Sequence, residues 1–415
     1  MSIIFLIWNY WPCIEGGSER QARQISAELV RRGHRCTVWT AWLDSDLPGK
    51  EIKDDVDIIR FGTWVPWQGR ARRVFDHFHD FLRGVLGKYF SVSEKRYISF
   101  QKNFDFWILL PVVYVTRWSF MKEVRNELNC IESSPNVIHL HEPSWLGGFA
   151  VQLAAGKKIS VLCQEATNPV LPILGYDVPF RNRIEQFRKE AHFIAMAPYL
   201  AADLRAKGIS DERIHFLPNG VKIPTLSDTR TKPFVVLYVA NFSQGAQWKA
   251  FDVLFDAWKR VHDQKLDLRL VVLGGGNRTT WERYVEHLGC ADSIDFMGRV
   301  DNPEDYYAKA SIFVLPSRVE GMSNALLEAQ SWGIPCVVSD IPGNTAVVDN
   351  GINGLVVSVN DHKALASAII KLYQEPILRK QMSTVAYDRM KEKYALDVVG
   401  DQLVDIYVKV CCSED

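Results

Sequence analysis

The feature that most constrains this chain is an alternation, kept up along almost its whole length, of short apolar runs with longer amphipathic ones. IIFLIWNY reads as a buried strand, PCIEGGSE as a glycine-containing turn, RQARQISAELVRRG as an amphipathic helix ending at Gly33, and HRCTVWTAW as the next strand. The pattern returns as NVIHLHEP, LGGFAVQLAAG and KKISVLCQE. A helix over EQFRKEAHF, the strand FIAMAP, a helix ending at AKG and RIHFLPNGVKIP follow. PNGVKIPTLSDTRTKP, with three prolines and an Asn-Gly turn, is the expected domain junction. The alternation then restarts with PFVVLYVAN, FDVLFDAWKRVHD and LDLRLVVLGGG and runs through WERYVEHLG, SIDFMG, PEDYYAKA, SIFVLPS, SNALLEAQSWG, IPCVVSD and GLVVS. DHKALASAIIKLYQE and a long charged tail helix close the chain. Strands that alternate with helices of this length form parallel sheets covered on both faces, and such sheets take ligands at the C-terminal edges of their strands. The expected fold class is α/β, two doubly wound domains in series with a cleft between them.

Composition removes several classes. Lys plus Arg and Asp plus Glu each total 49, so the net charge is zero and a nucleic-acid partner is not expected. Eight cysteines, at 13, 36, 130, 163, 290, 336, 411 and 412, form no CxxC or Cys/His ligand cluster and read mainly as small buried hydrophobes of a reducing compartment. MSIIFLIWNY lacks a basic leader and runs into a polar glycine loop, so it reads as a first strand rather than a signal peptide. The stretch FWILLPVVYV (Phe106 to Val115) is too short, with its internal proline, for a bilayer that needs about 20 residues. The expected location is cytoplasmic, at most peripheral on a membrane surface.

The sharpest constellation is SIFVLPSRVEGMSNALLEAQSWGIPCVVSD. A strand ends at Pro316, Glu320 and Gly321 lie in the loop, and a helix starting near Ser323 or Asn324 carries Glu328. Two carboxylates therefore face one cleft. The amides of Met322, Ser323, Asn324 and Ala325 sit at a helix start, where unpaired N–H groups favour anions. Carboxylates beside such a nest suit a phosphorylated sugar, the amides holding phosphate and the acids accepting from hydroxyls.

This segment resembles the E-x7-E signature of the retaining GT-B glycosyltransferases of family 4 (glycosyl transferases group 1). The resemblance extends through GGSE, AELVRRGHRCTVWT, VIHLHEP, HFLPNGV, WKAFDVLFDAW, the Gly274–Gly276 turn, EGMSNALLEA, GIPCVVSDIPGN and NGLVV, in order over nearly the whole chain. It implies the GT-B fold, two Rossmann-like domains facing across a cleft. Residues 1–220 would form the acceptor domain and 221–394 the nucleotide-sugar donor domain, with a C-terminal helix of about 395–415 packing back on the first. By the same resemblance Glu328 would accept from the ribose hydroxyls of a nucleotide. Glu320, with the amides after Gly321, would touch the donor sugar, and Lys249 would contact the diphosphate, whose growing charge a cation stabilises. His141, at the end of the strand in HLHEP, matches the family's histidine beside the transferred sugar. Gly16 and Gly17 would place turn amides near the donor phosphates or the acceptor. The backbone at Arg299 and Val300 would read the base.

The chain also departs from the family. Where an arginine usually ends the first strand of the second domain there is Asn241, able to donate a hydrogen bond but uncharged. NFSQGAQWK makes an enlarged loop before Lys249, and Ala250 stands where glycine is usual. DSD at 44–46 and DVD at 55–57 occur at chance frequency, His139 and His141 lack further ligands, and no metal or cofactor is expected, the nucleotide-sugar being a co-substrate. Gly274–Gly276 is no GxGxxG, so a dinucleotide site is poorly supported.

Residues 60–120 carry ten Lys/Arg against four Asp/Glu, with Trp64, Trp67, Phe75, Phe78, Phe81, Tyr89 and Phe90 at intervals. A helix over 74–90 behind Arg70, Arg72 and Arg73 would either pack on the first domain or, with the rest of 64–96, lie on an anionic membrane surface. The reading is a retaining, metal-independent transferase. It would move a sugar from UDP or GDP to a hydroxyl of a glycan or lipid-linked acceptor, as in bacterial surface polysaccharide assembly. A GT-B epimerase or phosphorylase, or a non-catalytic nucleotide-sugar-binding protein, is the alternative.

Overall fold

β1 (Ser2–Ile7) is buried from Ile3 to Ile7, as a strand covered on both faces must be. It belongs to a computed structural model that describes residues 1–12, 16–66, 113–131, 134–141, 145–165, 181–226, 234–242, 246–300 and 302–412. Among them, β2 (Arg35–Ala41), β3 (Lys50–Lys53), β4 (Val56–Phe61), β5 (Val137–Leu140), β6 (Ser160–Glu165), β7 (His192–Ala195) and β8 (Ile214–Phe216) join β1 in an eight-stranded sheet. Its order is β3-β4-β2-β1-β5-β6-β7-β8. β1 runs parallel to both β2 and β5 (Ile3 opposite Cys36 and Val137), and α1 (Gly17–Arg31) and α2 (Trp145–Ala154) follow β1 and β5. The hairpin β3–β4 is antiparallel, turning at Asp54 and Asp55 with φ of 53° and 61°. A two-residue turn with both residues left-handed matches the twist of the strands it joins. The acidic run DVD thus begins in a hairpin turn, a structure that the sequence reading did not foresee.

The second sheet holds β9 (Phe234–Val239), β10 (Leu268–Leu273), β11 (Ile294–Gly298), β12 (Ile312–Leu315), β13 (Cys336–Ser339) and β14 (Gly354–Val357), in the order β11-β10-β9-β12-β13-β14. Counted from its own first strand this is 3-2-1-4-5-6, the doubly wound order. α3 (Phe251–His262) follows β9 and buries Phe251, Leu254, Phe255, Trp258 and Val261, the spacing of one helix face. α4 (Asn324–Ser331), α5 (His362–Gln374) and α6 (Leu396–Cys412) follow in turn. Over their described residues, Met1–Gln164, Leu171–His192 and Tyr407–Asp415 make one compact unit and Glu165–Val170 with Phe193–Ile406 the other. No helix among the described residues is long and apolar enough to cross a membrane. Most of the basic aromatic segment, residues 67–112, lies outside the described residues.

The centre of the first unit is a stack of rings. Phe5, His139 and His141 lie with centroids 5.0, 5.8 and 4.8 Å apart pairwise, at interplanar angles of 29°, 29° and 20°. Tyr407, from α6, meets His139 with its hydroxyl 2.6 Å from Nδ1. Burial holds the Tyr407 phenol well above its ordinary value, so the hydroxyl donates and His139 accepts in its neutral form. Burial also holds His139 well below its ordinary range, with His141 adding to the effect, and lowers His141 to about 3.

These shifts set a pH dependence. An unfolded imidazole takes a proton near pH 6.5, whereas buried His141 resists until about 3. The folded state binds fewer protons between those values, so stability is full above 6.5 and falls as the pH drops through the window. Urea unfolding should lose about 2 kcal/mol between pH 7 and 5 on account of His141 alone. In His141→Gln that part of the slope should vanish; parallel pH curves for wild type and variant would rule the account out.

Candidate active site

β9 and β12 lie side by side in the second sheet, Val236 opposite Ile312 and Leu237 opposite Phe313, and strand order runs outward from them in opposite directions. Loops leaving two such strands part to opposite faces and open a crevice between them. The loop after β9 ends in a single 3-10 turn, Ala246–Lys249, and the loop after β12 carries Glu320.

Across this crevice Lys249 Nζ donates to Glu320 Oε1 at 2.7 Å, and Ser317 Oγ donates to the same oxygen, also at 2.7 Å. The two charged side chains keep only 22% and 11% of their surface in water. A pair withdrawn this far is held by geometry as much as by attraction, because desolvation offsets much of the Coulomb gain. The geometry is built from below. Ser317 is buried, its carbonyl accepts from Ser339 Oγ, and Asn344 Nδ2 donates to the oxygens of Ser339 at 3.0 Å. Gly343 approaches so closely that an added Cβ would lie 2.4 Å from the Glu320 carbonyl oxygen and 2.1 Å from that of Gly321. The hydroxyl of Tyr199 donates to both those carbonyls, at 3.1 and 3.0 Å, and burial with the Glu320 charge nearby pushes its pKa up to about 12. On the other side of the pair, buried Tyr238 donates to the Lys249 carbonyl at 2.8 Å.

Glu320 is followed by buried Gly321 and Met322 and by Ser323, whose hydroxyl caps α4 by accepting from the Leu326 amide at 3.4 Å. The helix thus starts where the sequence reading expected it, with Asn324 and Ala325 in its first turn. Asn219, in the Pro-Asn-Gly loop after β8, donates to Asn324 Oδ1 at 2.9 Å. Glu328 lies further along α4, where Tyr307 donates to its Oε2 at 2.9 Å.

Asn241 lies past the end of β9, where its Oδ1 accepts from the Gly275 amide at 3.0 Å. The glycines there serve close packing of backbones: a Cβ on Gly274 (φ +148°) would lie 1.9 Å from the Ala240 carbonyl oxygen, and one on Gly276 (φ +107°) 2.4 Å from that of Phe242. Arg299 and Val300 follow β11, and Arg299 Cβ would lie 3.4 Å from a Cβ on Gly275. Asn241 and Arg299 therefore flank one turn.

The remaining expected residues belong to the first unit and take the corresponding place in its own sheet. His141 directly follows β5, which is paired with β1, and Gly16 and Gly17 open α1 beyond β1. The Gly16 amide donates to Glu19 Oε2 at 2.9 Å, and a Cβ on Gly16 would come within 2.6 Å of that oxygen. His141 Nε2 is buried with no hydrogen-bond partner among the described residues. The second unit brings Lys249 and Glu320 into contact and strings Gly321 to Glu328 along one loop and helix. Sequence reasoning missed Ser317, Tyr199, Asn219, Tyr307 and Gly343. Ser317, Asn219 and Gly343 lay inside motifs already singled out.

Two family models match the chain, the glycosyl transferase 4-like domain over residues 16–220 and glycosyl transferases group 1 over residues 233–375. Phosphatidyl-myo-inositol mannosyltransferase of Mycobacterium leprae is 23% identical over 73% of this chain and 83% of its own length. An Escherichia coli UDP-Gal:alpha-D-GlcNAc-diphosphoundecaprenol alpha-1,3-galactosyltransferase is 37% identical over 49% of this chain and 56% of its own. Among solved structures, sucrose-phosphate synthase from Thermosynechococcus elongatus superposes with a TM-score of 0.73 at 19% identity, covering 100% of both chains. Anabaena HepE, in complex with UDP-glucose, superposes at 0.68 and 14% identity over 98% of this chain and 99% of its own. With both models matched over most of its length and two parallel-sheet α/β folds behind them, the chain belongs to the group 1, 4-like glycosyltransferases of GT-B fold.

Proposed function

We propose that the protein transfers a sugar from a nucleoside-diphosphate donor, UDP- or GDP-linked, to a hydroxyl of a glycan or lipid-linked acceptor in bacterial surface polysaccharide assembly. Transfer retains the anomeric configuration and requires no metal. The Lys249–Glu320 pair at the switch point of the second sheet carries this reading. A sugar diphosphate presents hydroxyls and negative charge side by side, and the pair offers an acceptor carboxylate and a cation at matching separation. Lys249 has three N–H donors, so it can keep Glu320 and still reach a phosphate oxygen.

In the proposed step the bond from the anomeric carbon to the diphosphate breaks and the acceptor oxygen bonds to that carbon on the same face. The acceptor's proton passes to the departing phosphate. Charge grows on the diphosphate as the bond lengthens, which is where Lys249 and the amides of Met322 to Ala325 stabilise it. Glu320 and the Gly321 amide position the sugar, Glu328 takes the ribose hydroxyls, and the backbone at Arg299 and Val300 takes the base, with Asn241 beside it. Residues 221–394 act as donor domain and 1–220 as acceptor domain, where His141, neutral at working pH, serves as a hydrogen-bonding group. Gly16 and Gly17 contribute turn amides. The enzyme works in the cytoplasm, peripheral to the membrane that carries a lipid-linked acceptor, with residues 64–96 as the contact. The names of the mannosyltransferase and galactosyltransferase relatives support a lipid-linked acceptor, and the UDP-glucose complex of HepE supports a UDP-sugar.

A thermal-shift panel of UDP, GDP, ADP and their sugar conjugates in EDTA tests the donor site, since a ligand of the native state raises the midpoint. One nucleotide should stabilise wild type. Glu328→Ala should weaken it by 10- to 100-fold, about 1.5–3 kcal/mol for bonds to a charged group. With acceptor present, Lys249→Ala and Glu320→Ala should each lower kcat by about 10²–10³ while the folded state survives; near-normal rates would withdraw those roles. NMR of the product should find the donor's anomeric configuration preserved, and an inverted product refutes the mechanism.

A further inference from the structure

The turn that presents Lys249 satisfies little of its own backbone beyond one bond, from the Ala250 amide to the Gln247 carbonyl at 3.3 Å. A 3-10 turn this short leaves the carbonyls at its end without helical partners of their own. Three consecutive carbonyls each take a donor from outside the turn. Tyr238 takes that of Lys249 (2.8 Å). Arg318 takes the other two, its backbone amide reaching the Trp248 oxygen at 2.7 Å and its Nη1 the Gln247 oxygen at 2.6 Å. The same guanidinium donates from Nη2 to Asp252 at 2.6 Å, in the first turn of α3, and from Nε to Asn360 at 2.7 Å. Arg318 lies two residues before Glu320, so one side chain ties the loop of the carboxylate to the loop of the cation.

We infer that Arg318 is a positioning residue: its guanidinium fork holds the turn preceding Lys249, so that the ammonium meets the diphosphate with Glu320 already in place. The inference rests on the proposed donor site and adds a residue to it. Stability does not explain this arrangement. The Arg318–Asp252 pair keeps 30% and 47% of its side-chain surface exposed, and ion pairs so exposed contribute little to folding. Three differently placed acceptors on a planar fork fix orientation, which a point charge cannot do. The missing family arginine at Asn241 makes the placement of Lys249 matter more, because Asn241 brings no charge of its own.

The test is the diphosphate increment, the ratio of the dissociation constants of uridine and UDP, measured by calorimetry in EDTA, with guanosine and GDP as the parallel pair. Arg318→Ala keeps the backbone bond to Trp248 and loses the fork. Its increment should fall about tenfold while the nucleoside constant stays as in wild type. Arg318→Lys keeps the charge without the fork and should stay near Arg318→Ala; full recovery would mean that charge alone matters and would overturn the inference. In a Lys249→Ala background the Arg318→Ala change should have no further effect, because it acts through Lys249. Additive losses would overturn it as well. An increment that depends on Lys249 but not on Arg318 removes this inference alone. A wild type that binds neither nucleotide removes the donor site and the inference together.

Discussion

Parallel strands cannot be joined by a hairpin; the chain must cross a face of the sheet before it returns, and in both units it does so through helices. That constraint buries both faces and gives the interior of each sheet mainly to apolar side chains, such as Val236, Leu237, Phe313 and Val314 in the second, all fully covered. Chemistry is then confined to the strand ends. Where the order reverses, between β9 and β12, two loops diverge and a polar pair can stand between them without taking the place of core residues. Lys249 and Glu320 occupy that one location because the winding of the sheet provides it.

Much of this was legible in the sequence because its signals are local. β1, α1 with Gly33 after it, β12, the Ser323 cap and α4 each announce themselves within a dozen residues through periodicity and capping chemistry. Glu320 and Glu328 stood out through the resemblance of their segment to the E-x7-E signature, which the surrounding chain shares. What escaped depends on partners far along the chain. Arg318 reads as a solvated loop arginine until Gln247 and Asp252 are brought to it, and Tyr199 lies 121 residues before the carbonyl it bonds. The turn at Asp54 and Asp55 escaped for another reason: two aspartates in the left-handed region look like an acidic cluster, and only the pairing of β3 with β4 makes them a hairpin.

The glycines of the second unit divide along the same line. Gly274 and Gly276 make no dinucleotide motif by spacing, and each lies against a backbone carbonyl of the segment after β9, where no side chain fits. Gly343 has no unusual dihedral that would mark it, but it lets the turn after β13 touch the carbonyls of Glu320 and Gly321. In both places a missing Cβ sets the height of a site loop over the sheet. A glycine of this kind cannot be told from an ordinary turn glycine until the opposing backbone is known.

Ala250 shows what this placement costs. It sits at φ +53°, ψ +45°, fully buried, between Lys249 and α3. A non-glycine residue in that region is disfavoured by about 1–2 kcal/mol, and the family's usual glycine would relieve it. Its neighbours overdetermine the conformation all the same: Tyr238 holds the carbonyl before it, Arg318 the two before that, and the Leu254 amide bonds to the carbonyl of Ala250 itself at 3.0 Å. Strain that survives because surrounding contacts fix it is characteristic of positions where geometry matters more than local stability. Here the strained residue directly follows the lysine whose position the arginine, the tyrosine and the helix start combine to determine.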